Sequence, residues 1–246
     1  MTNLKVVITL SREIPSVEFV NFQDIIDIIQ PGESVLVEYR TSYVPEFTLK
    51  LSADYTRENG IPLIIDDNFD TLYTLVLHLR LMGVEVNLDH AYVVKTGGTH
   101  DIGGKVKWIE FHPDPRVYIK NYTNASAEIL ENVKTPAINL VLGLENVLMI
   151  MRDSRDFYRL LLSLQKYVGN KNRKAVYLIN RDIVESMMPG FFLPELERVA
   201  TTVVETRPYP TGAILTFKKS INPVVIGTTI GIDVGGIVSG ERNSHL

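Results

Sequence analysis

Two consecutive strand–turn–helix units restrict this chain more than any other feature of its sequence. Ser34-Val35-Leu36-Val37-Glu38-Tyr39 is short, largely apolar and β-branched, which predicts a buried strand. It leads through Arg40-Thr41-Ser42 to Pro45, a residue favoured in the first turn of a helix because its missing N–H would go unpaired there anyway. Phe47, Leu51 and Tyr55 then recur every fourth residue, until Gly60 offers a left-handed C-cap and Pro62 blocks continuation. Leu63-Ile64-Ile65 begins a second unit, in which Asp66-Asp67-Asn68 supply N-cap candidates and Leu72, Leu75, Val76 and Leu79 form one apolar face ahead of Gly83. Strands separated by helices of this length require right-handed crossovers, so the fold class is α/β: a mostly parallel sheet with helices on both faces.

Later segments fit the same alternation. Strands are predicted at 91–94, 138–142, 175–179, 202–205 and 213–218, and helices near 124–133, 153–168 and 195–199. The stretch 95–120 departs from it: four glycines interrupt the pattern and Val106-Lys107-Trp108-Ile109-Glu110-Phe111 alternates like a half-exposed strand, which predicts a hairpin insertion or a sheet edge. The domain division expected is an N-terminal strand/helix extension over 1–30, the α/β domain over 31–220 and an apolar Gly-rich C-terminal tail over 221–246. Within the tail, 221–240 carries one charge, Asp233, and its glycine spacings would suit paired membrane helices; Asp233, Asn222, Pro223 and the glycines themselves argue for a terminal strand or packing tail that could mediate self-association.

Composition removes several function classes. With no cysteine, thiolate metal sites, thiol catalysis and disulfides are excluded. The 25 Lys+Arg against 29 Asp+Glu give a net charge of -4, so no global field attracts nucleic acid, and nucleic-acid binding is unsupported. The first residues lack the long apolar run of a signal peptide, which makes a cytoplasmic location the expectation.

Residues 31–86, through about 218 in strand and helix order, resemble RecA/KaiC-type ATPases, and in particular the small archaeal set known as the "Pyrococcus protein of unknown function" family. The resemblance implies a three-layer RecA-like fold and places the phosphate loop at Tyr39–Glu46. Such a loop works because glycines turn successive N–H groups toward phosphate, a lysine neutralises charge, and a Ser or Thr hydroxyl holds Mg²⁺. Here the loop has no glycine, Pro45 falls where the lysine belongs and Glu46 where the hydroxyl belongs. The strand expected to end in a metal-orienting carboxylate ends instead at Gly143, with Glu145 two residues on. Asp66-Asp67 fall where KaiC-like proteins carry water-activating glutamates.

The reading is therefore a degenerate nucleotide site in a binding, regulatory or scaffold module, leaning away from an enzyme, with no cofactor or metal expected. A homo-oligomer and a protein or peptide partner are the expected associations. The candidate crevice comprises Arg40, Thr41, Ser42, Tyr43, Glu46, Asp66, Asp67 and Asp70. Two alternatives stand beside it: a metal-dependent hydrolase built on Asp66, Asp67 and Asp70, whose carboxylates could hold a hydroxide-generating cation, and a divergent nucleotide-binding protein. The plainer reading of Asp66, Asp67 and Asp70, and the one favoured here, is that they cap the following helix and meet its positive N-terminal end.

Other constellations carry less. His90, His100 and His112 could meet Asp101 or Asp114 around a metal if the 95–114 loop folds back. Gly97-Gly98-Thr99-His100-Asp101-Ile102-Gly103-Gly104-Lys105 has the composition of an anion-binding loop but precedes a strand rather than a helix. Arg152, Arg155 and Arg159, with Lys166, form a basic stripe interrupted by Asp153 and Asp156.

Overall fold

The apolar runs sort into one mixed sheet in a computed structural model that describes residues 17–235 apart from 113, 134, 135, 152 and 188. In chain order the strands and helices are β1 (Glu18–Phe19), α1 (Phe22–Ile28), β2 (Ser34–Tyr39), α2 (Val44–Glu58), β3 (Leu63–Asn68), α3 (Thr71–Leu81), β4 (Tyr92–Thr96) and β5 (Lys105–Ile109). There follow α4 (Pro115–Glu131), β6 (Ala137–Leu142), α5 (Leu144–Met149), α6 (Ser154–Gln165), β7 (Arg173–Asn180), α7 (Arg181–Met187), α8 (Phe192–Val199), β8 (Thr202–Tyr209), β9 (Gly212–Lys219) and β10 (Thr229–Asp233). Among the described residues the sheet has ten strands in the order β1-β10-β9-β8-β2-β7-β6-β3-β4-β5. From β8 to β5 every pairing is parallel; β8, β9 and β10 pair antiparallel.

Two layers of helix cover the sheet. One core joins Ile25 and Ile26 of α1, Leu49 and Ala53 of α2 and Leu72 and Leu79 of α3 to Val35, Leu63, Ile65, Leu140 and Val204 of the strands. The opposite face packs Val147, Phe157, Leu160, Leu161, Val184 and Leu196 against Leu36, Tyr177 and Val203, with Ala125 and Ile129 of α4 completing it over Ile64 and Val94. Each fully buried Leu, Ile or Phe contributes about 2 kcal/mol. The division follows from crossover handedness: the chain steps from β2 to β3 and β4 with its helices on one face, then returns through β6 and β7 to β8 with its helices on the other.

Two sequence expectations change. The 95–120 stretch is an edge of the sheet, as one of its two readings held, but not a hairpin: β5 runs parallel to β4, with Tyr92 opposite Lys105 and Thr96 opposite Ile109. A connection of only eight residues, 97–104, carries the chain back along the strand, which is short for a parallel crossover. Helix α4 begins at Pro115, capped by Asp114, whose carboxylate accepts from the Arg116 N–H at 2.9 Å, so it is a full turn and more longer than apolar spacing suggested. Within the 1–30 extension, residues 17–30 give a two-residue strand before their helix; residues 1–16 lie outside the described residues. The tail contributes β10, and among the described residues no helix is long and apolar enough to cross a membrane; residues 236–246 lie outside the described residues.

Candidate functional site

Strand order fixes where a ligand crevice opens. The neighbours β2 and β7 send their crossovers in opposite directions, β2 toward β3 and β7 past β2 to β8. Open α/β sheets bind ligands at such a switch point, outside the carboxyl ends of the strands. The Arg40–Tyr43 turn, the first turn of α2, the start of α7 and Glu145 at the start of α5 all stand there.

The turn is occupied by its own contacts. Arg40 pairs with Asp182 at the start of α7. The Ser42 hydroxyl donates to the Arg40 carbonyl at 3.1 Å, and the Phe47 N–H donates to the Tyr43 carbonyl at 3.1 Å. Thr41 is exposed and the Tyr43 ring is 55% exposed. Pro45, in the first turn of α2, has no N–H to offer an anion. Glu46 is buried and turns sideways to α3, where its Oε1 meets Nδ1 of His78 at 2.6 Å; its Oε2 has no partner among the described residues.

Two more buried glutamates line the same end of the sheet. Glu145 accepts a hydrogen bond from the Tyr39 hydroxyl at 3.1 Å, and its other oxygen is unpartnered among the described residues. Burial pushes the Glu145 carboxyl up, partly offset by its hydrogen bonds, and burial beside Glu145 pushes the Tyr39 hydroxyl up as well. Glu38, 1% exposed, accepts from Arg181 Nη1 at 3.1 Å and from Lys218 Nζ at 3.3 Å. Burial and the neighbouring Glu197 carboxylate push Glu38 up to about 7 against the pull of Lys218 and Arg181. Carboxyl groups thus line this end of the sheet, and Arg40, Arg181 and Lys218 are each already paired with an acid.

The three aspartates do not form one site. They lie on or beside β3, and the strand's alternation sends Asp66 and Asp67 to opposite faces. Asp66 is buried toward α4, where it accepts from the Tyr122 hydroxyl at 2.8 Å and Asn139 Nδ2 at 3.1 Å; burial raises its carboxyl, and those hydrogen bonds with Arg173 work against the rise. Arg173, itself 1% exposed, donates to Asn139 and to the Tyr177 hydroxyl. Asp67 faces α3: its Oδ1 accepts from the Leu72 N–H at 2.9 Å, a helix cap, and its Oδ2 takes Lys95 Nζ at 2.6 Å. Lys95 has no exposed surface and also pairs with Asp70. The carboxylates that the hydrolase alternative invoked, Asp66, Asp67 and Asp70, do not converge: one is across the sheet and a buried ammonium sits between the other two. Of the three, Asp67 alone caps the helix with its side chain.

The glycine-rich loop does bind an anion, its own. Asp70 Oδ2 accepts from the Thr99 N–H at 2.8 Å, and Oδ1 from the His100 N–H at 3.1 Å, with His100 Nδ1 3.0 Å from Oδ2. Burial alone would raise the Asp70 carboxyl, but Lys95 and the loop's donors hold it well below the usual range. Gly98 must be glycine here, at φ +79, because a Cβ would collide with the Asp70 carboxylate. Phe69 and Asp70 are themselves left-handed, at φ 58 and 59.

The histidines stay apart: His90 Nε2 meets the Thr56 hydroxyl at 2.9 Å, His100 lies on Asp70, and His112 accepts from the Asp114 N–H at 3.0 Å. Among the described residues no three His, Asp or Glu side chains are grouped to hold a metal. Of the basic stripe, Arg155 pairs with Asp153 and Arg159 with Asp156, and Arg152 lies outside the described residues.

Residues 24–231 match the family described as "Pyrococcus protein of unknown function, DUF257". The chain belongs to that family. No curated protein matches it. A solved structure from Pyrococcus horikoshii OT3, titled a structural study of Project ID PH0250, is 27% identical with a TM-score of 0.72, covering 86% of this chain and 98% of its own. The KaiC-like protein PH0186 from the same organism is 11% identical with a TM-score of 0.56, covering 82% of this chain and 85% of its own, which supports a RecA-like fold.

Sequence reading missed Glu38, Lys95 and His78 as members of these clusters. The signal for two of them was present: a charged residue inside Val35-Leu36-Val37-Glu38 or Val93-Val94-Lys95, in a sheet covered on both faces, must find a counter-ion.

Proposed function

We infer that this DUF257 member is a KaiC-like protein that does not turn over nucleotide and acts as a binding, regulatory or scaffold module. The observation that carries this is the fate of Glu46. In the first turn of α2, where an incoming phosphate would want donors and a cation, the chain offers Pro45 and a buried carboxylate tied to His78 of the next helix. Anion binding at a helix N-terminus depends on free N–H groups and a positive field, and both are diminished here. Exposed apolar side chains on the elements that leave the carboxyl ends, Tyr43, Met149, Ile150 and Ile183, support partner docking in place of nucleotide. A cytosolic homo-oligomer is part of the same reading.

Isothermal titration with ATP–Mg²⁺ tests it. The expected result is no saturable heat; micromolar binding, or ATP hydrolysis by pure protein that is lost on changing Glu46, overturns it.

A further inference from the structure

The sheet ends at β5, and no described strand pairs with its outer side. Its geometry specifies what could. The Lys105 N–H donates to the Ala91 carbonyl at 3.1 Å, so Lys105 directs its backbone inward toward β4. Backbone direction alternates along a strand, so Lys107 and Ile109 also face β4 while Val106 and Trp108 turn their N–H and C=O groups outward. Side chains alternate as well. Ile109 packs with Ala125 and Ile129 of α4 and Lys107 Nζ donates to Glu128 of α4 at 2.8 Å, which puts Lys105, Lys107 and Ile109 on one face. Val106 packs into the α1–α3 core and the Trp108 ring lies 5.7 Å from Lys95 Nζ, which puts both on the other.

The α4 side of this edge opens into a cleft of about 450 Å³ lined by Tyr92, Lys105, Lys107, Glu128, Ile129 and Asn132. The opposite side presents Trp108, 46% exposed. Lys107 and Glu128 are both largely exposed, so that ion pair exchanges at little cost.

We propose that β5 is a docking edge for an extended acidic segment of a partner protein, a strand in which Asp or Glu alternates with apolar residues. Its backbone pairs with the outward groups of Val106 and Trp108. Its acids meet Lys105 and Lys107 over the α4 cleft, and its apolar residues cover Trp108. Charge selects this occupant over a second copy of the chain: two copies meeting edge to edge about Val106 or Lys107 would set lysine against lysine, a known device against self-pairing. The proposal goes beyond the crevice reading and is independent of it.

Fluorescence anisotropy with a labelled peptide of about eight residues, alternating Glu with Val or Thr, tests it alongside a Lys-for-Glu counterpart. The acidic peptide is expected to saturate the protein and bind at least about ten-fold more tightly than the basic one. Lys105→Glu with Lys107→Glu, both exposed, should invert that preference. Val106→Pro should weaken the acidic peptide without changing the circular dichroism, because it removes an outward N–H and leaves the ladder to β4 intact. Equal binding of the two peptides, binding of neither, an unchanged preference after charge reversal, or tighter binding of a short oligothymidylate overturns the proposal.

Discussion

Glu38→Gln should change how stability depends on pH, and the sign follows from where Glu38 sits. Its carboxyl is 1% exposed and pushed from 4.5 up to about 7, chiefly by burial. A folded-state value above the unfolded one means the native protein holds the proton more tightly. Stability from this group is therefore complete below pH 4.5 and is lost as pH rises through about 7. At about 1.4 kcal/mol per pH unit the full interval corresponds to about 3 kcal/mol. Part of the rise comes from Glu197, which is 30% exposed and shares the proton with Glu38, so solvent screening trims the effect to about 1–2 kcal/mol.

Glu197 is shifted the other way by its coupling to Glu38 and the hydrogen bond it accepts from Lys218, which oppose burial, and its contribution falls on the acid side of this window. Glutamine keeps the shape and removes the titration. Urea unfolding followed by circular dichroism at pH 5, 6, 7 and 8 should show the variant gaining on the wild type by about 1–2 kcal/mol across that range. A constant difference between the two proteins, or one that shrinks with rising pH, would falsify the account of Glu38 as a buried carboxyl held near neutrality.

Lys95→Met leaves Asp67 and Asp70 without their ammonium and should cost about 3–5 kcal/mol in urea unfolding, with much of the loss recovered by adding Asp67→Asn; a loss below about 1 kcal/mol would contradict the buried-pair assignment. Gly98→Ala should destabilise by about 1–3 kcal/mol and shift the Thr99 and His100 amide resonances, since its Cβ meets Asp70 at a left-handed φ of +79; unchanged amides would refute the latch. Ala213→Val points into an apolar cavity of about 70 Å³ lined by α1, α2 and β8–β10, and filling part of it should raise the melting temperature. At about 24 cal/mol per Å³ the whole void is worth about 1.7 kcal/mol, so no gain at all would mean that the site cannot accept the added methyls.

Elements were legible where a local pattern forces them. Val35-Leu36-Val37, Leu63-Ile64-Ile65 and Ile138-Asn139-Leu140 mark strands covered on both faces. Pro45, Gly60 and Gly83 fall at helix ends because φ and N–H requirements there act on single residues. The candidate site was legible in part: the acid and imide in the first turn of α2 could be read from order alone, but not that Glu46 would abandon the turn for His78, 32 positions on.

The chain's own order of apolar and breaker residues settled that it is α/β, roughly where each unit begins, and that the turn over residues 39–46 holds no glycine and no lysine, because those properties live within a few residues of one another. Tertiary structure alone decided that β5 runs parallel to β4, that Asp66 and Asp67 serve opposite faces, and that Lys95 and Glu38 neutralise acids and bases from distant elements. Strand direction and ion pairing depend on which neighbours the sheet assembles, and side-chain alternation carries no record of that choice.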